Sequence, residues 1–166
     1  MVMKVEYRKK RVNTNNLREG IVRVGFFEGV RYDDGTPVAK VARWNEFGTR
    51  VEHGIPERPF MRPAVFEHKE FLTEKLRSEY KKAFKDRQNT MLVLNKFGEY
   101  VVDLIQKQIE STYTPANSPI TIHGGWLGFK GGRSVYVEGK QGKTHPLEDT
   151  MVMHDSVDYK AEEVFK

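Results

Sequence analysis

The sequence predicts an α+β fold in which a small, mainly antiparallel sheet packs against two long antiparallel helices, with a glycine- and aromatic-rich hairpin or arm. Three observations carry this expectation. Short runs rich in β-branched and aromatic residues lie towards both ends of the chain, at Val2–Tyr7, Ile21–Phe27 and Val157–Val164, and such residues suit a pleated, half-buried surface. The middle of the chain holds two apolar stripes at helical spacing, separated by the polar stretch Asp86–Thr90. Residues 123–142 then carry seven glycines with Trp126, Phe129 and Tyr136 among them. At 166 residues the chain fits one domain, with a radius of gyration of about 15 Å.

Val2–Tyr7 alternates loosely and reads as a first strand, and Asn13–Asn16 reads as turn or cap chemistry. Ile21–Phe27 is the second strand, followed by Gly29 and the turn Asp33-Asp34-Gly35. Thr36 is placed to cap a helix with Pro37 in its first turn; Val38, Val41, Ala42 and Phe47 recur at roughly helical spacing, and Gly48 stands where a terminating glycine belongs. Trp44 and Phe47 read as core or as an exposed aromatic docking site. Glu46, which has no partner in sequence, reads as a surface or capping carboxylate rather than a catalytic acid.

Pro56, Pro59 and Pro63 fix φ at three of eight positions and push Ile55, Arg58 and Arg62 away from the helical region. No helix is therefore expected before Pro63. The segment 55–63 should run extended, presenting Ile55, Arg58, Phe60, Met61 and Arg62 to a neighbouring surface. From Pro63 to about Lys85 the chain reads as one helix, with Val65, Leu72, Leu76, Ala83 and Phe84 on its apolar side and a length of about 34 Å. Glu67, Glu70 and Glu74 near its start and Lys81, Lys82 and Lys85 near its end suit the helix dipole. A second helix from Thr90 to about Tyr113 places Leu94, Phe97, Val101, Leu104, Ile105 and Ile109 on one face. Joined by a short polar link, the two should lie antiparallel and both cover one face of the sheet. Parts of 120–138 are expected to add strands to that sheet.

Composition narrows the function classes. Lys and Arg total 28 against 23 Asp and Glu, a net charge of +5, which is too mild a balance to imply nucleic-acid binding by itself. The absence of cysteine excludes disulfides, thiolate catalysis and cysteine-based zinc sites. No apolar run approaches the roughly 20 residues a membrane helix needs, and no signal-peptide core opens the chain, so a soluble protein made in a cytoplasm is expected. The termini carry opposite charge: residues 1–31 are net +5, including the run Arg8, Lys9, Lys10 and Arg11, whereas residues 147–166 are net −4, including Asp155, Asp158, Glu162 and Glu163. These blocks serve either as solvated faces or as complementary surfaces of adjacent copies or stacked rings, where charge guides register more than it adds affinity.

Chemistry of other kinds finds little support. His53, His68, His123, His145 and His154 are widely separated and match no ligand spacing, and the glycine pairs 124–125 and 131–132 fit no phosphate-binding motif. Asp33-Asp34 and Asp155 with Asp158 sit in turn-like and tail-like settings. No enzymatic activity, cofactor or metal is expected. The 123–142 stretch, with Trp126, Phe129, Arg133 and Tyr136 beside Lys130, Lys140 and Lys143, admits three uses: a flexible surface loop, a platform that stacks on single-stranded nucleic acid, or an arm inserted between subunits, which is the favoured one.

Three blocks of wording point to a family. Asn45-Glu46-Phe47-Gly48-Thr49 is followed by Ile55-Pro56-Glu57-Arg58-Pro59-Phe60-Met61-Arg62-Pro63; Val24-Gly25-Phe26-Phe27 precedes them; and Pro115-Ala116-Asn117-Ser118-Pro119-Ile120-Thr121 is followed by His145-Pro146-Leu147-Glu148-Asp149-Thr150. Together they resemble the neck and tail-completion proteins of tailed bacteriophages, the group that includes the HK97 gp10-like tail components and the virion morphogenesis proteins. The resemblance covers scattered parts of residues 20–160, and Met151 stands where the family usually has glycine. It implies a structural virion protein, assembled in a bacterial cytoplasm, that forms a ring, expected to be hexameric, joining the head connector or head-closure protein to the tail tube or tail terminator. DNA would pass through the channel without specific binding. A basic nucleic-acid-binding accessory protein is the alternative, or, within the same structural class, a tail terminator or head-closure protein.

Overall fold

The computed structural model describes the backbone of residues 2–7 and the whole of residues 17–140, 144–147 and 151–164. Strands β1 (Val2–Tyr7), β2 (Gly20–Phe26) and β5 (Val157–Glu163) form one antiparallel sheet with β2 in the centre. The register pairs Val5 with Val22, and Val22 with Ala161. Along β2 the side chains of Val22, Val24 and Phe26 are buried, whereas Ile21 and Arg23 are only partly covered, so the sheet has one apolar face and one wet one. On the wet face Arg23 pairs with Glu162 at 2.5 Å and the Lys160 ammonium lies over the Phe27 ring.

One helix covers the apolar face. Helix α4 (Thr90–Ser111) crosses β2 and β5 and buries Val93, Leu94, Phe97, Val101, Ile105 and Ile109. Asn89 caps its start by accepting the Leu92 N–H at 2.9 Å, the ordinary role of asparagine at that position. Gly98 lies under the Tyr159 ring of β5, where a Cβ would overlap the ring atoms. Met61–Phe66 (α2) and Lys69–Lys85 (α3) both pack on α4 rather than across the sheet. The expectation that both long helices lie on the sheet is therefore corrected: α3 forms an outer layer, through Leu72, Leu76, Tyr80 and Ala83.

Several boundaries differ from the sequence reading for identifiable reasons. The single helix from Pro63 to Lys85 is interrupted at Glu67 and His68, and helix begins at Met61, two residues before Pro63. A proline in the first helical turn costs no intrahelical hydrogen bond, and Glu46 supplies the acceptor that the start of α2 needs. Phe84, expected in the core, is 57% exposed, because Tyr80 and Ala83 carry the buried stripe instead. Thr36 does not cap helix α1 (Val38–Phe47); Pro37 occupies that position, and the Thr36 N–H is taken by the Asp34 carboxylate at 2.8 Å.

Residues 119–137 add no strand to the main sheet. They form a short helix α5 (Pro119–His123) and a separate hairpin, β3 (Gly125–Gly128) with β4 (Ser134–Val137). Gly131 and Gly132 both take positive φ in its turn, which glycine does without steric cost. A last helical turn, α6 (Val152–Asp155), leads into β5. Met151, where the family resemblance expects glycine, takes φ 58°. The turn is left-handed here, with a side chain in a conformation that costs it about 1–2 kcal/mol. Among the described residues, no helix is long and apolar enough to cross a membrane.

Candidate functional site

The proline-rich segment is organised by one buried carboxylate. Glu46, near the end of α1, is fully buried. Its Oε2 accepts the N–H groups of Phe60 and Met61 at 2.8 and 2.9 Å, and its Oε1 accepts the N–H of Arg62 at 2.9 Å. These are the donors left without partners at the start of α2, so Glu46 caps a helix other than its own, and the negative charge suits that helix's positive end. Arg62 Nε closes on the same Oε1 at 3.0 Å, Arg62 Nη2 reaches the Glu46 carbonyl at 2.6 Å, and its guanidinium also meets Glu57. Those partners, Glu57 first and Glu46 second, raise the Arg62 guanidinium above its ordinary value. A buried charge is tolerated when it is paired and hydrogen-bonded in this way.

Arg58 ties in the third block. It is 5% exposed; its N–H donates to the Asn45 carbonyl at 2.6 Å, its Nε to the Pro115 carbonyl at 2.6 Å, and its Nη2 to the Ala116 carbonyl and the Asn117 Oδ1 at 3.1 and 3.3 Å. Burial lowers its guanidinium from the ordinary value. Gly48, at φ 67°, lets the chain double back so that Thr49 N–H meets the Ile55 carbonyl at 2.9 Å; a Cβ there would sit 3.1 Å from the Ile55 carbonyl oxygen and the Glu57 nitrogen. Phe60 meets Phe26 of the sheet edge to face, with ring centroids 6.0 Å apart.

This arrangement sorts the residues expected to face partners. Phe60 and Met61 are at most 1% exposed and Arg58 is buried, so all three are corrected from partner surface to internal structure: their neighbours belong to the same chain. Ile55 and Trp44 are partly covered, and the Lys40 ammonium lies over the Trp44 ring. Phe47 is half-exposed rather than core, with the Arg62 guanidinium 4.9 Å above its ring. Phe66, one helical turn beyond Arg62, is 69% exposed. Sequence reasoning overlooked Phe66, and it left Glu46 undecided between surface and cap; only its place in the quoted Asn-Glu-Phe-Gly-Thr wording singled it out.

The hairpin is the second exposed feature. Trp126 and Tyr136 lie opposite each other in register, edge to face at 5.5 Å, and are 69% and 60% exposed. Phe129 packs against the His53 ring, His53 Nε2 contacts the Gly128 carbonyl at 2.6 Å, and the Glu52 carboxylate accepts the Lys130 N–H, so the hairpin leans on the loop that leads into the proline segment. Arg133 is exposed in the hairpin turn. An open cleft of about 720 Å³ lies between α1 and the hairpin, lined by Trp44, Arg58, Leu127, Val137 and Met153 among others.

Of the charged termini, Arg8, Lys9, Lys10 and Arg11 lie outside the described residues. Glu162 and Glu163 reach Arg23 and Arg18 of their own chain, at 2.5 and 3.5 Å. Asp155 pairs with His154 and Asp158 accepts the Tyr159 N–H. No group of three or more His, Asp or Glu side chains that could hold a metal occurs among the described residues. No family model, curated protein or solved structure matches the chain.

Proposed function

We propose that this chain is a structural subunit of a tailed-phage virion, completing the neck or tail as a member of a ring, six-fold in our reading, between head connector and tail tube. One observation carries the reading. The segments whose wording resembles the tail-completion group, 45–49, 55–63 and 115–117, meet in a single junction through Glu46, Arg58 and Arg62. The resemblance therefore falls on residues that depend on one another for position. The junction's role is scaffolding: it holds Phe47 at the surface under the Arg62 guanidinium and starts the helix that carries the exposed Phe66, and it supports the loop against which the Trp126–Tyr136 hairpin leans. Large aromatic and arginine side chains of this kind are the common anchors of protein interfaces. Contact with partners, rather than catalysis, is the activity that follows.

Disruption of the gene in its parent phage, followed by negative-stain electron microscopy of induced lysates, tests this. Filled heads and separate free tails are expected, and complementation with the intact gene should restore joined particles. Normal infectious particles from the disrupted phage would refute the reading.

A further inference from the structure

The three-stranded sheet ends in two strand edges, β1 on one side and β5 on the other, and among the described residues neither has a further strand partner. The Val164 N–H donates to the Glu19 carbonyl at 2.9 Å, so the even-numbered residues of β5 turn their backbone groups toward β2. The N–H and C=O groups of Val157, Tyr159, Ala161 and Glu163 consequently face outward. The Tyr159 N–H agrees with this, because it is taken by the carboxylate of its own neighbour Asp158 at 2.7 Å. The register of β1 with β2 likewise leaves the backbone groups of Val2, Lys4 and Glu6 on the outer edge.

We propose that the chain joins its neighbours head to tail by continuing this sheet, the outer edge of β5 in one copy pairing with the outer edge of β1 in the next. The proposal rests on the ring reading above and names the contact that would build the ring. β1 and β5 both run antiparallel to β2, hence parallel to one another. Rotation about an axis along the strands preserves strand direction, so the new pair is parallel. The end of β1, which continues in sequence into Arg8-Lys9-Lys10-Arg11, then lies beside Glu162 and Glu163. Of the existing pairs of those glutamates, Arg23–Glu162 is open to solvent and costs little to rearrange, whereas Glu163 beside Arg18 is only 16% exposed. Two-fold pairing of like β5 edges is antiparallel and is disfavoured, since it would bring Asp158 of one copy towards Glu162 and Glu163 of the other. An unlike-edge contact is heterologous and closes only as a ring. Addition of a strand to an open edge is an established mode of recognition, and Asp158 occupies one edge donor until the neighbour arrives.

The absence of cysteine makes the test clean. Lys4, Arg23 and Lys160 stand in one row across the sheet. Positions 4 and 160 of one chain are two strand spacings apart, about 9.6 Å, beyond the ~7 Å reach of a disulfide. A disulfide in the double variant Lys4→Cys/Lys160→Cys must therefore link two copies. Mild oxidation is expected to give a ladder of covalent oligomers on a non-reducing gel, with each single variant running there as the single chain. Ala161→Pro in the double background removes an outward N–H without touching the β2 ladder, and should abolish the ladder while leaving the circular-dichroism spectrum unchanged. Dimers from Lys160→Cys alone, at the level of the double variant, or a ladder that survives Ala161→Pro, would overturn the proposal. Rings of the wild-type chain seen without any ladder would overturn the edge contact and leave the ring reading standing. A wild-type chain that stays monomeric at every concentration and gives no ladder would overturn both.

Discussion

Replacing Glu46 with alanine tests the central junction most directly. The substitution strands three backbone donors, those of Phe60, Met61 and Arg62, two of them on residues that are at most 1% exposed. An unsatisfied buried donor costs about 1–3 kcal/mol. Partial access of water at Arg62 lowers the sum, which brings the expected loss to about 4 kcal/mol, in the range found when one partner of a buried pair is removed. That is a large share of the roughly 5–15 kcal/mol that holds a domain folded. With a urea m-value of about 2 kcal/mol/M, the midpoint of unfolding should fall by about 2 M. Glu46→Gln keeps one acceptor oxygen of two and should lose about half as much. Arg62→Ala removes the cation that pairs a fully buried carboxylate but leaves its three backbone donors in place, and with the guanidinium 39% exposed should lose about 1–3 kcal/mol. A Glu46→Ala midpoint within about 0.5 M of wild type would refute the reasoning, because it would mean that water replaces the carboxylate at no net cost.

Other perturbations follow from the same geometry. Met151→Gly relieves a left-handed residue and should stabilise the chain by about 0.5–1 kcal/mol after the entropic cost of glycine, read as a rise of about 2 °C in Tm; a lowered Tm would show that the Met151 side chain contributes more by packing than its backbone loses. Arg58→Lys cannot reproduce the fork that spans residues 115–117, and faster proteolytic cleavage between Thr114 and Ser118 than in wild type is expected. Gly98→Ala should destabilise by about 1–3 kcal/mol through overlap with the Tyr159 ring, despite the better helix propensity of alanine; an increase in chemical stability would refute that contact. The Asp34 carboxyl is held below its ordinary value of 3.8 by the Thr36 N–H and hydroxyl. Its contribution is therefore present above that value and lost as pH falls through the lower folded value. The stability gap between wild type and Asp34→Ala should be constant above about pH 5 and narrow on acidification.

Local chemistry made much of the fold readable. The strand at β1 carries the bounds the sequence suggests, β2 is shifted by one residue at each end and β5 ends one residue early, because β-branched runs between turn residues have few other uses. The apolar stripe of α4 and the glycine hairpin were legible for the same reason: spacing alone declares them. Gly48 could be placed as a helix terminator, since few other residues adopt that conformation.

What the tertiary structure decided is where pairing partners lie far apart in sequence. Nothing local marks the interruption at Glu67 and His68, which carries neither proline nor glycine; the helical segments on either side of it both pack on α4. Nothing local tells α3 that it lies on α4 rather than on the sheet, since an apolar stripe does not name the surface that covers it. The proline spacing argued against helix before Pro63, and a carboxylate 16 residues upstream of Arg62 overrode it. Arg58 and Phe60 looked like surface anchors because the sequence shows their size and charge but not their neighbours, the carbonyls of residues 115 and 116 and the ring of Phe26. The sequence by itself determined which segments pleat, coil and turn, because those preferences act within a few residues. The structure determined which side chains are interior, because burial and hydrogen-bond satisfaction depend on residues that only folding brings together.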